Sequence, residues 1–172
     1  MAEQDSQASQ LAQGSSPDPA QLFPFPLDDF QLEAIDALNQ GHSVVVSAPT
    51  GSGKTLVGEY AIHRAMAHGQ KVFYTTPLKA LSNQKLRDFR EQFGAENVGL
   101  MTGDLSVNRE ASIVVMTTEI FRNMLYAEAD EHDDPLADVE AVVLDECHYM
   151  NDSQRGTVWE ESIIHSPPPV QL

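Results

Sequence analysis

Short apolar runs alternate with longer amphipathic segments through most of this 172-residue chain. Runs with apolar residues at nearly every position are typical of strands that are buried on both faces of a sheet. The amphipathic segments have helical spacing, and several end at a glycine. Strands and helices that alternate in this way form βαβ units, so the sequence predicts an α/β fold with a mainly parallel sheet and helices on both faces. The predicted strands are 44–48, 72–76, 98–101, 113–117 and 141–145, and the predicted helices are about 29–39, 54–68, 79–93, 119–126 and 156–165.

Two segments differ in composition from the rest of the chain. Residues 1–22 are rich in Gln, Ser, Ala and Pro and have no apolar periodicity, which predicts a disordered tail. Residues 23–172 carry the alternating pattern and form one predicted domain, which is long enough to bury a core. Within that domain, residues 128–140 contain seven acidic residues and no basic one, so we expect a solvated acidic loop there.

The net charge of −16 argues at first against a nucleic-acid partner, because phosphate binding favours basic surfaces. Ten of the 26 acidic residues, however, lie in residues 1–24 and 128–140, so the total does not describe the rest of the chain. No apolar run approaches the roughly 20 residues that a membrane-spanning helix requires. The single cysteine, Cys147, excludes an internal disulfide. We therefore expect a cytoplasmic protein without a membrane partner.

The strongest motif is the glycine-rich segment 47–55, which lies between a predicted strand and a predicted helix. That context is the one a phosphate-binding loop needs, because two glycines let successive N–H groups face a phosphate at the start of a helix. The strict pattern begins with glycine, where this chain has Ala48. Lys54 can reach the β- and γ-phosphates, and the Thr55 hydroxyl can ligate Mg²⁺. The predicted loop residues are Ala48, Pro49, Thr50, Gly51, Ser52, Gly53, Lys54 and Thr55.

The second motif places Asp145 and Glu146 at the carboxyl end of a predicted strand. Ligands of open α/β sheets bind at that edge. Asp145 can hold Mg²⁺ directly or through water, and Glu146 can orient or deprotonate an attacking water. Alone, such a pair is more often a solvated strand end, but downstream of a phosphate loop it predicts a nucleoside triphosphatase. We expect the neighbouring Cys147 to be a small buried side chain rather than a nucleophile.

Together these motifs resemble those of superfamily-two DExH-box helicases, with Asp145-Glu146-Cys147-His148 as the box. The segment 25–31 is similar to the family's adenine-recognition segment, and the segments 76–85, 101–104 and 115–119 resemble its nucleic-acid-contacting motifs. The set is most similar to the superkiller-type RNA helicases, which feed RNA to exonucleases. The resemblance covers about residues 23–172 and implies a P-loop NTPase fold of the RecA-like type, the first domain of a helicase.

The resemblance also implies cofactors and site residues. ATP would bind with Mg²⁺, with Phe25 stacked on adenine and Gln31 hydrogen-bonded to its edge. Lys54, Asp145 and Glu146 would serve hydrolysis, and Thr55 and Asp145 would ligate the Mg²⁺. The residues of segment 79–85 resemble those of RNA helicases and so favour RNA over DNA. Single-stranded RNA would follow a track made of Pro77, Leu78, Lys79, Thr102, Gly103, Thr118 and Glu119.

The resemblance to the family extends to Leu172, the last residue of this sequence. In the family, a Ser-Ala-Thr strand and a second RecA-like domain with arginine fingers follow, and His148 would couple the nucleotide to that domain. We therefore expect a domain that lacks its last core strand and needs the second domain, with an exonuclease as a further partner. Because a missing arginine finger costs about 10³–10⁵-fold in rate, we expect weak ATP binding, little hydrolysis and no unwinding by this chain alone. Two alternatives stay open: a non-enzymatic truncated module that binds nucleotide or RNA, and a related DNA helicase.

Overall fold

A five-stranded sheet organises the chain, and it confirms the predicted mainly parallel α/β architecture. The computed structural model describes residues 15–126, 134–151 and 156–172. The strands are β1 (Lys71–Thr76), β2 (Val98–Met101), β3 (Ser106–Val107), β4 (Ile113–Thr117) and β5 (Val139–Leu144). Their order across the sheet is β3-β2-β4-β1-β5. All neighbouring pairs are parallel except β2 and β3, which pair antiparallel at one edge.

Helices cover both faces of this sheet, as the alternating pattern predicted. They are α1 (Pro19–Leu22), α2 (Asp29–Asn39), α3 (Thr55–Ala67), α4 (Lys79–Phe93), α5 (Thr118–Tyr126) and α6 (Gly156–His165). Successive side chains of a strand point to opposite faces, so the side chains of β1 alternate between two hydrophobic cores, one on each face of the sheet. Val72 packs in one core with Tyr60 of α3 and Phe89 of α4. Phe73 packs in the other core with Phe121 of α5.

Residues 44–48 do not form the predicted strand, and that prediction is wrong. Val45 is 89% exposed, and the segment has one backbone bond to the body of the domain among the described residues, from the N–H of Val44 to the carbonyl of Leu172 at 2.8 Å. On that side β5 ends the sheet, with an isolated bridge between Ala141 and Gln171 beside it. A strand needs a hydrogen-bonded neighbour along its length, so apolar composition alone did not place this segment in the sheet.

The predicted tail and acidic loop lie partly outside the described residues. Of the tail, residues 15–22 are described, and they include α1 and the carbonyl of Pro17, which accepts a hydrogen bond from the Tyr60 hydroxyl at 3.1 Å. Of the acidic segment, residues 134–140 are described, and Glu140 belongs to β5 instead of a solvated loop. Its carboxylate is ion-paired with Arg64 at 2.9 Å and lies 2.8 Å from Nδ1 of His68. In the described part of the chain, no helix is both long and apolar enough to cross a membrane.

Candidate functional site

The predicted phosphate loop lies directly before α3, which begins at Thr55. Gly51 and Gly53 have φ angles of 81° and 82°, a backbone conformation that residues with a Cβ rarely adopt. At the start of a helix the first N–H groups have no intrahelical partner, and the helix dipole adds positive charge. The Ser52 hydroxyl is buried and has no hydrogen-bond partner among the described residues. A buried orphan hydroxyl beside these N–H groups fits an anionic phosphate ligand.

The Lys54 ammonium lies inside its own loop. It donates hydrogen bonds to the carbonyls of Ala48 at 2.5 Å and Pro49 at 2.9 Å. A phosphate is fully charged, so its Coulomb attraction for the ammonium exceeds that of a neutral carbonyl. A phosphate in the loop would therefore compete well for this ammonium, and the two carbonyls hold it close to where the phosphate would bind.

Gln31 joins the start of α2 to the phosphate loop. It is only 4% exposed, and its Nε2 donates to the carbonyl of Gly53 at 3.0 Å. Its Oε1 accepts from the N–H of Asp28 at 2.8 Å, which completes the capping box of α2. A side-chain amide has two N–H groups and two lone pairs, so one of each is left for a ligand. The predicted contact with adenine stays a prediction, while the contact with the loop is a role that sequence reasoning missed.

Phe25, the other predicted adenine contact, is 53% exposed. Its ring centroid lies 6.1 Å from that of Phe23, which is itself buried in the core. An exposed aromatic ring held beside a buried one provides a flat apolar surface, and such a surface suits a stacking partner.

Asp145 and Glu146 follow β5 directly, at the carboxyl edge of the sheet. Oδ1 of Asp145 accepts from the N–H of Glu146 at 2.9 Å, and Oδ2 accepts from the Tyr74 hydroxyl at 2.8 Å. Burial, and then the negative charge of Asp145, raise the pKa of Tyr74 well above its usual value, so its hydroxyl stays a donor. The side chain of Glu146 is exposed, and its backbone has a φ of 60°, which is uncommon for a residue other than glycine. Such strained residues cluster at functional sites.

The second half of the box lies in a short 3₁₀ turn, Cys147–Asn151. Cys147 is exposed, so the prediction of a buried side chain is wrong, because the box continues past the end of the strand and into a surface turn. His148 is also exposed, and its Nδ1 lies 3.1 Å from Oε2 of Glu146. The turn therefore brings the imidazole to the carboxylate that is predicted to act on water.

The predicted RNA-track residues follow the ends of β1, β2 and β4, which are neighbours in the sheet. Lys79, Gly103 and Glu119 are exposed, while Pro77 and Leu78 are half-buried. Two further track residues, Thr102 and Thr118, are buried. The hydroxyl of Thr118 donates to the carbonyl of Thr76 at 3.2 Å, and that of Thr102 donates to Oδ1 of Asp104 at 3.0 Å. Their role in RNA contact stays a prediction, since both hydroxyls already have protein partners.

An ion pair that the sequence did not reveal lies on this track. The ammonium of Lys79, at the start of α4, contacts Oδ2 of Asp104 at 2.5 Å, and both side chains are more than half exposed. The hydrogen bonds from Lys79 and then Thr102 lower the pKa of Asp104 below its usual value. The carboxylate is thus an anion on the predicted RNA track.

The fold and the site define a P-loop nucleoside triphosphatase domain, with the phosphate loop before α3 and the carboxylates after β5. Residues 28–172 match the family model of the DEAD/DEAH box helicases. This chain belongs to that family, which confirms the resemblance found in its motifs.

The curated relatives include DExH-box RNA helicases. The chain is 57% identical over 153 residues to the chloroplastic "DExH-box ATP-dependent RNA helicase DExH15" of Arabidopsis thaliana, a match that covers 88% of this chain and 13% of that protein. It is 54% identical over 156 residues to "Antiviral helicase SKI2" of Saccharomyces cerevisiae, which covers 91% of this chain and 12% of that protein. The chain thus spans about an eighth of the length of these relatives.

A solved structure shares the fold. It is the crystal structure of a hypothetical ATP-dependent RNA helicase from Sulfolobus tokodaii, and it superposes with a TM-score of 0.63 at 23% sequence identity. The match covers 99% of this chain and 49% of that one.

Proposed function

We propose that this chain is the ATP-binding part of an ATP-dependent RNA helicase. The observation that carries the proposal is the placement of the phosphate loop before α3 and of Asp145 and Glu146 after β5, in a member of the DEAD/DEAH box family. The 57% identity to a protein named as an ATP-dependent RNA helicase supports RNA as the substrate class. In the longer protein, ATP hydrolysis would drive movement along single-stranded RNA, with a second RecA-like domain as partner. A cytoplasmic location and an exonuclease partner stay predictions from the sequence.

Each catalytic residue has a defined task in this proposal. Lys54 would leave the carbonyls of Ala48 and Pro49 and bind the β- and γ-phosphates of ATP. Thr55 and Asp145 would hold Mg²⁺, which would neutralise negative charge on the phosphates when bound. Glu146 would orient the attacking water and accept its proton. The adjacent imidazole of His148 would respond to that change in charge.

Titration calorimetry of ATP into the chain tests this proposal. We expect binding that Mg²⁺ strengthens. We also expect a hydrolysis rate far below roughly 1 s⁻¹, the lower end of typical enzyme turnover numbers. No binding at millimolar ATP, in a sample whose circular dichroism confirms folding, would contradict the proposal. Hydrolysis at about 1 s⁻¹ or faster would contradict the predicted need for a second domain. Parallel titrations with single-stranded RNA and DNA of one sequence separate an RNA enzyme from the DNA alternative.

We further propose that single-stranded RNA lies along the edge formed by the ends of β1, β2 and β4. The exposed Lys79 and Gly103 support this, because an ammonium and open backbone N–H groups contact phosphates without reading bases. The Asp104 carboxylate would compete with an RNA phosphate for the Lys79 ammonium and would repel that phosphate. The proposed RNA track and the carboxylates of Asp145 and Glu146 would then lie at the same edge of the sheet, at the carboxyl ends of its parallel strands.

Replacing Asp104 with asparagine is expected to tighten RNA binding several-fold, because it frees Lys79 and removes a repulsive charge. The salt dependence should steepen by up to about 0.7 in the slope of log K against log[salt], the value for one added phosphate contact on a single strand. Fluorescence anisotropy of a labelled RNA oligonucleotide at several salt concentrations measures both. Glu110→Gln is the matched control, because Glu110 pairs with Lys71 at 2.8 Å at the other end of β1. Equal effects of the two variants would argue against the track.

A further inference from the structure

The Tyr74 hydroxyl is the polar end of a side chain whose ring packs in the apolar core. Tyr74 lies in β1 opposite Val143 of β5 and is only 1% exposed. Burying a hydroxyl without a partner is costly, so the group it bonds matters. Its partner is Oδ2 of Asp145, at 2.8 Å, two residues beyond Val143 on the neighbouring strand.

The Asp145 carboxylate is held at both oxygens. The N–H of Glu146 donates to Oδ1, and the Tyr74 hydroxyl donates to Oδ2. The Lys85 ammonium also forms an ion pair with Oδ2, at 3.8 Å. An ionised carboxylate offers about four lone-pair sites, so two donors fix its orientation and leave sites for a further ligand. Partners of this kind orient a metal-binding carboxylate in many proteins.

Packing contacts also fix the ring of Tyr74. The ring of Phe89 packs edge-on against it, with centroids 4.9 Å apart, and the Lys85 ammonium lies 5.3 Å from its centroid. Gly58 of α3 also approaches the ring, since a Cβ added there would lie 3.3 Å from it. The packing therefore sets the position of the hydroxyl, and the hydroxyl in turn sets the position of the carboxylate.

We propose that Tyr74 is a positioning residue for Mg²⁺, whose hydroxyl orients the Asp145 carboxylate toward the ion that accompanies ATP. This inference rests on the proposed function, because it assumes that Asp145 is a magnesium ligand. Lys85 and Phe89 bring α4 into the same arrangement, so the helix that starts at Lys79 also supports the metal site.

Tyr74→Phe tests the inference, because it removes the donor and leaves the ring. Mn²⁺ replaces Mg²⁺ as a probe, and electron paramagnetic resonance counts free Mn²⁺ in the presence of a non-hydrolysable ATP analogue. We expect the nucleotide-linked affinity for Mn²⁺ to fall by about 10–100-fold, the usual effect of removing such a partner. Nucleotide affinity in EDTA should stay within about twofold of the wild-type value, since the phosphate loop is intact.

Tyr60→Phe is the matched control. Tyr60 is fully buried in α3, and its hydroxyl contacts Oδ1 of Asn39 at 3.0 Å and the carbonyl of Pro17 at 3.1 Å instead of Asp145. This variant should leave Mn²⁺ affinity unchanged. Equal losses in both variants, or no loss in Tyr74→Phe, would overturn the inference. Absence of nucleotide-linked Mn²⁺ binding in the wild type would instead refute the proposed function.

A second measurement covers the case in which Tyr74→Phe does not fold. Fluorotyrosine at position 74 of the otherwise unchanged chain reports its surroundings by ¹⁹F nuclear magnetic resonance. We expect its signal to shift when Mg²⁺ is added to the chain with the ATP analogue, whereas fluorotyrosine at position 60 should not shift. A signal at position 74 that ignores Mg²⁺ would overturn the inference.

Discussion

Replacing Lys54 with methionine is expected to weaken ATP binding by about 10- to 150-fold. The range corresponds to the loss of about 1.5–3 kcal/mol, the usual contribution of a hydrogen bond to a charged group. In the structure the ammonium bonds the carbonyls of Ala48 and Pro49, within the half-exposed loop and not the core. Thermal stability should therefore change little, and the loss should be confined to binding.

Fluorescence titration with an ATP analogue measures this effect, and thermal melting checks the fold. Lys71→Met is the matched control, because Lys71 lies at the amino end of β1 and pairs only with the exposed Glu110 among the described residues. We expect the control to bind like the wild type. If Lys54→Met kept wild-type affinity, the loop would not be the phosphate site.

The second large effect is structural. Replacing Gly99 with alanine is expected to lower the free energy of unfolding by about 3 kcal/mol, the upper end of the usual cost of overpacking. A Cβ at Gly99 would lie 2.1 Å from the carbonyl oxygen of Asn108, closer than any two such atoms can come. That carbonyl cannot easily move, because it accepts a hydrogen bond from the N–H of Ala111 at 3.1 Å. Asn108 is further held by its own amide, which donates to the carbonyl of Glu96 at 2.8 Å.

Urea unfolding followed by circular dichroism measures the change. Gly103→Ala is the matched control, since no atom lies within 4 Å of a Cβ built there. We expect that control to stay within about 0.5 kcal/mol of the wild type, as surface substitutions usually do. Equal urea midpoints for the two variants would mean that the turn after β3 can move to accommodate the added Cβ at little cost in free energy.

The sequence predicted most elements of the fold because their burial follows local periodicity. The predicted helix 79–93 and strand 113–117 coincide with α4 and β4. Residues 44–48 have the same apolar pattern but lack a strand beside them, and pairing is not encoded in a segment's own composition. Glu140 was misplaced for a similar reason, because its partners, Arg64 in α3 and His68 directly after it, are distant in the chain.

The site shows the same division between local and distant information. The phosphate loop and the carboxylates were located by motifs, since each lies at the end of a single element. The contacts that hold them were not, because Tyr74 and Asp145 are 71 positions apart and Gln31 and Gly53 are 22 apart. A tyrosine inside a predicted buried strand was the available signal, because a buried hydroxyl must find a partner.

The hydrogen bond from the N–H of Val44 to the carbonyl of Leu172 also bears on how the domain folds. Close to it, the Gln171 amide donates to the carbonyls of Leu38 and His42, both at 3.0 Å, across 133 and 129 positions of the chain. Contacts between such distant residues carry a large loop-closure entropy, and they form late when nearer contacts can form first. These hydrogen bonds from the end of the described chain hold residues 38–44, which lead into the phosphate loop. We therefore expect the loop to be among the last parts of the domain to reach its place during folding.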